Sequence, residues 1–107
     1  MRTLVDWQEH LEDLYGKGSR NRSIDATYGR LAEEMGELSK AIRYRTMDTE
    51  NLVEELADVV GWTLRLAEKL GISLDAALSS KYGADECFCC HQAECSCPEL
   101  RARRCGL

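Results

Sequence analysis

The stretch Leu31-Ala32-Glu33-Glu34-Met35-Gly36-Glu37-Leu38 has an echo 21 residues later, Leu52-Val53-Glu54-Glu55-Leu56-Ala57-Asp58-Val59. Both octets read apolar, any, acid, acid, apolar, small, acid, apolar. Apolar residues recurring at three- and four-residue intervals mark an amphipathic helix, so the chain carries the same acidic pattern on two helices. At about 100° per residue, Glu55 falls inside an apolar arc flanked by Val59, Trp62 and Leu66. Asp58 sits at the border of that arc and Glu54 points further out. On the other helix Glu34 lies among Thr27, Leu38 and Ala41, Glu37 is at the border beside Arg30, and Glu33 faces outward. Each helix thus presents one interior acid and one border acid at i, i+3, a spacing that brings side chains together.

Acid pairs on helices are most often solvated surface. A doubled pattern with matched inward phase is a different case. Ionised carboxylates removed from water are unfavourable by several kcal/mol unless they are protonated, paired or bound to a metal. Four oxygen donors with no interior His or Cys suit Mg²⁺ or Mn²⁺. A di-iron bundle would need Glu-x-x-His, and neither His10 nor His91 stands at that position in either octet.

Working outward, Thr3 followed by Asp6 predicts a capped first helix whose stripe is Leu4, Trp7, Leu11 and Leu14, ended by Gly16 and Gly18. The loop from Gly16 to Arg22 is basic. A second helix is expected from about Ser23 or Asp25 to Arg45, and a third from about Glu50 to Leu70, with the break Thr46-Met47-Asp48-Thr49 supplying its caps and Gly71 as its stop. Ser73 opens a fourth, shorter helix to about Tyr82, which Gly83 ends. No stretch alternates with the period of a strand. The third helix is apolar over more than half its circumference, too wide an arc for one neighbour to cover. The expected fold is therefore all-α, a bundle of about four helices completed by dimerisation. Residues 1–83 form the helical domain and 84–107 a Cys-rich extension.

At 107 residues and a formal net charge of -5, the chain lacks the clustered Lys and Arg of a nucleic-acid surface. No run approaches the length of a membrane span, and no signal-peptide core is visible. All six cysteines follow residue 86. That confinement favours a reducing, cytoplasmic setting and a metal over a disulfide framework. Cys87-x-x-Cys90-x4-Cys95-x-Cys97 has the short spacings of a structural, tetrahedral Zn²⁺ knuckle. Cys89 and His91 remain alternative ligands, and Cys105 has no obvious partner.

Glu33-Glu34-x-x-Glu37 followed by Glu55-x-x-Asp58 resembles the motif pair of the MazG-like, all-α nucleoside triphosphate pyrophosphohydrolases, and the likeness extends over roughly residues 4 to 97. The resemblance implies cleavage of a nucleoside triphosphate between its α- and β-phosphates, giving a monophosphate and pyrophosphate. It implies that Glu34, Glu37, Glu55 and Asp58 hold Mg²⁺. The metal also explains how an acidic chain takes a polyanion. Glu33 is a candidate proton acceptor for the attacking water. Lys81, in a Lys-Tyr pair that the family often carries, Arg22 in the basic loop and Trp62 one turn past Asp58 are candidate substrate contacts. For Trp62 the competing role is core packing; for the two cations it is a solvated surface. A similar cysteine ending occurs in short MazG-like proteins, with Gly where this chain has His91. Two other functions fit parts of the sequence. Phosphoribosyl-ATP pyrophosphohydrolases share the helical architecture, although the zinc-like tail points away from them. A non-catalytic zinc-knuckle helical adaptor would turn over no triphosphate and gain no stability from Mg²⁺.

Overall fold

The computed structural model describes residues 1–97. Cys105 and the arginines around it lie outside the described residues. Four α-helices follow one another, α1 (Leu4–Tyr15), α2 (Ile24–Arg43), α3 (Thr49–Lys69) and α4 (Leu74–Tyr82), and among the described residues there is no strand. The chain divides into two compact units, Met1–Leu74 and a second that begins at Asp75. None of these helices is long and apolar enough to cross a membrane.

Local chemistry sets the helix ends. The Thr3 hydroxyl accepts from the Asp6 amide at 3.1 Å while the Asp6 carboxylate accepts from the Thr3 amide at 2.8 Å, a reciprocal capping box. These bonds hold the Asp6 carboxyl below its ordinary range. Ser23 caps α2 through the Ala26 amide at 3.0 Å, and Asp48 caps α3 through the Asn51 amide at 3.1 Å. The α2 helix stops at Arg43, two residues before the position expected for it. The amides of Met47 and Asp48 both bond the Tyr44 carbonyl, and this turn delivers Asp48 to its capping position. At the other end of α3, Gly71 has φ +69°, a left-handed conformation that costs glycine little. The Ile72 amide reaches back to the Ala67 carbonyl at 2.9 Å and the Gly71 amide to the Glu68 carbonyl at 3.1 Å. That is the paired bonding of a Schellman stop.

Within the first unit, α3 packs against both α1 and α2. The short turn after Arg43 makes α2 and α3 a helical hairpin, which aligns the two acidic octets. Gln8 on α1 is buried and spends its whole amide on the end of α3. Its nitrogen donates to Glu68 at 2.9 Å and to the Ile72 carbonyl at 2.8 Å, and its oxygen accepts from the Leu74 amide at 3.1 Å.

The hydrophobic interior of this unit is thin. Only Ala41, Leu64 and Ala67 are buried apolar residues among those described, beside the buried polar Gln8, Ser19, Thr27 and Arg65. Ile24, Tyr28, Met35 and Ile42 are all exposed, although they fall within about 40° of one another on α2. Val53, Leu56 and Val60 make a comparable exposed stripe on α3. The wide apolar arc of α3 is thus covered only toward its C-terminal half, where Leu64 and Ala67 are buried.

In the second unit, α4 leads into the cysteine-rich segment. Tyr82 and Phe88 meet edge to face with ring centres 6.0 Å apart, and the Lys81 ammonium lies 5.2 and 5.1 Å from the two rings. The Cys87 amide donates to the Gln92 carbonyl and the His91 amide to the Cys87 carbonyl, at 2.9 and 2.8 Å. These bonds close a tight turn in which His91 has φ +59°.

Candidate functional site

The helical hairpin brings Glu34 of α2 to Glu55 and Asp58 of α3. One oxygen of each carboxylate lies within 4.8 Å of the others. The Glu34 side chain is 14% exposed, Glu55 is half-buried and Asp58 is exposed at the margin. This reproduces on the folded chain the interior and border positions of the helical wheel. Glu37 is exposed and lies outside the closest group, yet its charge is felt at Glu55. Glu33 points outward, with its side chain 62% exposed.

Crowding has a measurable electrostatic consequence at Glu55. Its removal from water acts first, then the hydrogen bond and the charge of Glu34, then the charges of Asp58 and Glu37. Together they push its carboxyl above the ordinary carboxylate range. One Glu55 oxygen, Oε2, is buried with no hydrogen-bond donor. A buried carboxylate oxygen without a donor, inside a set of oxygen-only ligands, is suited to a hard divalent cation. The residues therefore fit such an ion.

Positive charge surrounds the acids in an ordered way. Arg30 pairs with Glu33 at 2.5 Å and approaches Glu34 at 3.8 Å. Its guanidinium carbon is also 5.2 Å from the centre of the Trp62 ring, and that of Arg22 is 5.0 Å from the same centre. Trp62 is thus a half-buried platform carrying two cations one turn past Asp58. Arg22, Asp58, Trp62 and Arg65 line a cavity of 510 Å³ whose remaining wall is largely apolar, including Leu11, Leu14 and Tyr15 of α1. Its volume is in the range of small-molecule sites. Asp58 on one margin, guanidinium groups beside it and an apolar interior make a place that can receive an anion and a flat apolar group next to the acidic cluster.

Reading the sequence alone missed two residues at this site. Arg65, buried on α3, pairs with Glu12 at 2.6 Å and donates to the Ser19 hydroxyl at 3.0 Å. Lys69 donates to the carbonyls of Ser19 and Arg22 at 2.8 and 2.7 Å. The signal was present in the spacing, since Asp58, Trp62, Arg65 and Lys69 follow at 4-3-4 intervals and share a face of the helix. Lys81 belongs to the second unit, where it lies against Tyr82 and Phe88.

The second unit gathers a different set of ligand atoms. The sulfurs of Cys87, Cys90, Cys95 and Cys97 lie within 4.8 Å of one another. Those of Cys87 and Cys97 are 3.9 Å apart, close to the edge of about 3.8 Å for a tetrahedron with metal–sulfur bonds of about 2.3 Å. Backbone amides point at the sulfurs. Those of Cys90 and then Cys89, with smaller help from neighbouring thiols, bring the Cys87 thiol down to about 6 against the opposing effect of burial. The amides of Ser96 and Gln92 lower Cys90 likewise, Ser96 at 3.4 Å. Amide donation to thiolate favours the form that binds metal. Cys89 is not part of the foursome. His91 is held by Glu86, Nδ1 to Oε1 at 3.0 Å. Its left-handed backbone explains why glycine suits that place in a knuckle.

The raised Glu55 carboxyl predicts a signed effect on stability. A carboxyl whose folded pKa exceeds its unfolded value contributes stability in acid and loses it as pH rises from the ordinary 4.5 through the raised value. At neutral pH the metal-free protein therefore bears the unrelieved repulsion of this cluster. Glu55→Gln should raise its melting temperature there, with the gain vanishing below about pH 4. The same variant should lose the upward shift that Mg²⁺ gives the parent protein. Thermal melts across pH, with and without Mg²⁺, measure both effects, and an undiminished Mg²⁺ shift in the variant would remove Glu55 from the cation site.

Comparison with known proteins agrees with this geometry. No curated protein matches the chain significantly. A family model described as the MazG nucleotide pyrophosphohydrolase domain matches residues 22–82, more than half of the chain, and contains both acidic octets together with Trp62. On that match, carried by an all-α fold, the protein belongs to the MazG nucleotide pyrophosphohydrolase domain family.

Proposed function

We propose that this protein is a Mg²⁺-dependent nucleoside triphosphate pyrophosphohydrolase that cleaves between the α- and β-phosphates. The observation that carries the reading is the partnerless buried oxygen of Glu55 within the Glu34, Glu55 and Asp58 cluster. The family assignment supports the same chemistry.

In this reading Glu34, Glu55 and Asp58 hold the cation, with Glu37 completing the set from the margin. Mn²⁺ can substitute, since both ions take oxygen ligands. When bound, such a metal would neutralise phosphate charge and acidify the attacking water. Glu33 receives the proton of that water, and Arg30 fixes its carboxylate through the 2.5 Å pair. The cavity between α1 and α3 takes the nucleoside, whose flat base meets the apolar wall that includes Leu11, Leu14 and Tyr15.

Two further assignments complete the proposal. A second copy of the chain covers the exposed stripes of α2 and α3, because a helical unit with three buried apolar residues leaves too much hydrophobic surface in water. Cys87, Cys90, Cys95 and Cys97 hold a structural Zn²⁺ that ties the tail of the second unit together. A site closed by four thiolates offers no open position for substrate, so its part is to stabilise the fold.

Pyrophosphate release should appear with one or more canonical, deoxy or modified triphosphates, and only when Mg²⁺ or Mn²⁺ is present. Glu34→Ala and Asp58→Ala should each lower it by about a hundredfold or more with helix content unchanged by circular dichroism. A protein inactive on the whole panel and unresponsive to Mg²⁺ would instead be a helical adaptor. Light scattering after size exclusion should give at least a dimer at micromolar concentration; a monomer would refute coverage by a second copy. Metal analysis of protein purified without chelator should find about one zinc per chain, and Cys90→Ser should remove it.

A further inference from the structure

The basic loop between α1 and α2 is fastened by side chains that reach it from α3. Lys69 donates to the carbonyls of Ser19 and Arg22 at 2.8 and 2.7 Å. Arg65 donates to the buried Ser19 hydroxyl at 3.0 Å and is neutralised by Glu12 at 2.6 Å. The loop is therefore held at both ends of the Ser19–Arg22 segment by the helix that also carries Asp58 and Trp62. What this fastening fixes is the direction of Arg22, whose guanidinium lies 5.0 Å from the Trp62 ring centre.

The guanidinium groups around the cavity differ in one respect. Arg65 has Glu12, and Arg30 has Glu33 and Glu34. Among the described residues no carboxylate pairs with Arg22, although it lines the same cavity as Asp58. A guanidinium directed by its backbone, stacked on an aromatic ring and free of any counter-charge is prepared for an anion with several oxygens. We propose that Arg22 binds the terminal phosphates of the substrate, the portion that departs as pyrophosphate, and that Lys69, with Arg65, is a positioning residue acting through it. The inference rests on the pyrophosphohydrolase reading for its ligand. It assigns to the second half of α3 a part in substrate binding that the acidic octets do not contain.

The division of labour is physically sensible. The carboxylates need a cation and repel bare phosphate, whereas Arg22 attracts phosphate without any metal. Lys69 itself is occupied by two carbonyls and does not face the cavity wall that Arg22 lines. Its loss removes a donor from two loop carbonyls without stranding a buried charge, and circular dichroism of the variant checks that the helices remain. Removing Arg65 would strand a buried serine and an acid, so the test uses Lys69.

Calorimetric titration with magnesium pyrophosphate and steady-state kinetics with a triphosphate substrate would be run on Arg22→Gln, Lys69→Met, Lys69→Arg and the double variant. Arg22→Gln should weaken pyrophosphate binding about tenfold and raise KM in parallel, with kcat changed less than about twofold. Lys69→Met should reproduce most of that loss, Lys69→Arg should restore part of it, and the double variant should be no worse than Arg22→Gln alone. Additive losses, an unaffected Lys69→Met, or no pyrophosphate binding by the parent protein would overturn the proposal. A protein that shows this cycle for pyrophosphate yet hydrolyses no triphosphate would keep the inference and lose the enzymatic reading. Turnover with additive losses would do the reverse.

Discussion

Repulsion among Glu34, Glu55 and Asp58 is the constraint around which the first unit is arranged. Helix α3 must pack its apolar arc, and that arc contains an acid. Placing Glu55 against Glu34 removes it from water and leaves one oxygen without a donor. In a domain that buries only three apolar residues among those described, such a cluster is a real burden on a marginal stability. In the function proposed above, a cation entering the cluster would relieve that repulsion, and its binding energy would become folding energy.

Helix α3 also separates the charges that serve this site. Glu55 and Asp58 stand in its first half, and Arg65 and Lys69 in its second. Lys69, in the last turn, also suits the helix dipole, which favours a cation at that end. Trp62 lies between the two groups and carries Arg22 and Arg30 at about equal distance. The acidic end suits a metal, and the basic end fixes a loop. An acidic protein can thus keep local positive charge at one cavity without being basic overall.

The second unit follows a separate logic. Its described residues gather a foursome of thiols with amides aimed at their sulfurs. His91 accepts a left-handed backbone to close the knuckle, an unfavourable conformation for a residue with a Cβ. Small domains commonly rely on such staples where a hydrophobic core is too small.

Much of this was legible in one dimension. The caps at Thr3, Ser23 and Asp48, the stop at Gly71, four helices and the phase of the acids all follow from local rules, because capping and helical periodicity act within a few residues of chain. The cysteine spacing likewise picks out the four sulfurs that the structure brings together, since the turn that gathers them is local. Other features needed the folded chain. Arg65 and Lys69 look like ordinary surface cations until the loop 50 residues upstream lies beneath them. The amide of Gln8 and the two guanidinium groups on Trp62 depend on which helix faces turn toward each other. The partnerless oxygen of Glu55 exists only once α2 covers it. Periodicity determines which side of a helix a residue occupies, whereas only packing decides what it meets there, because hydrogen bonds and desolvation depend on distances of a few ångströms between elements far apart in sequence.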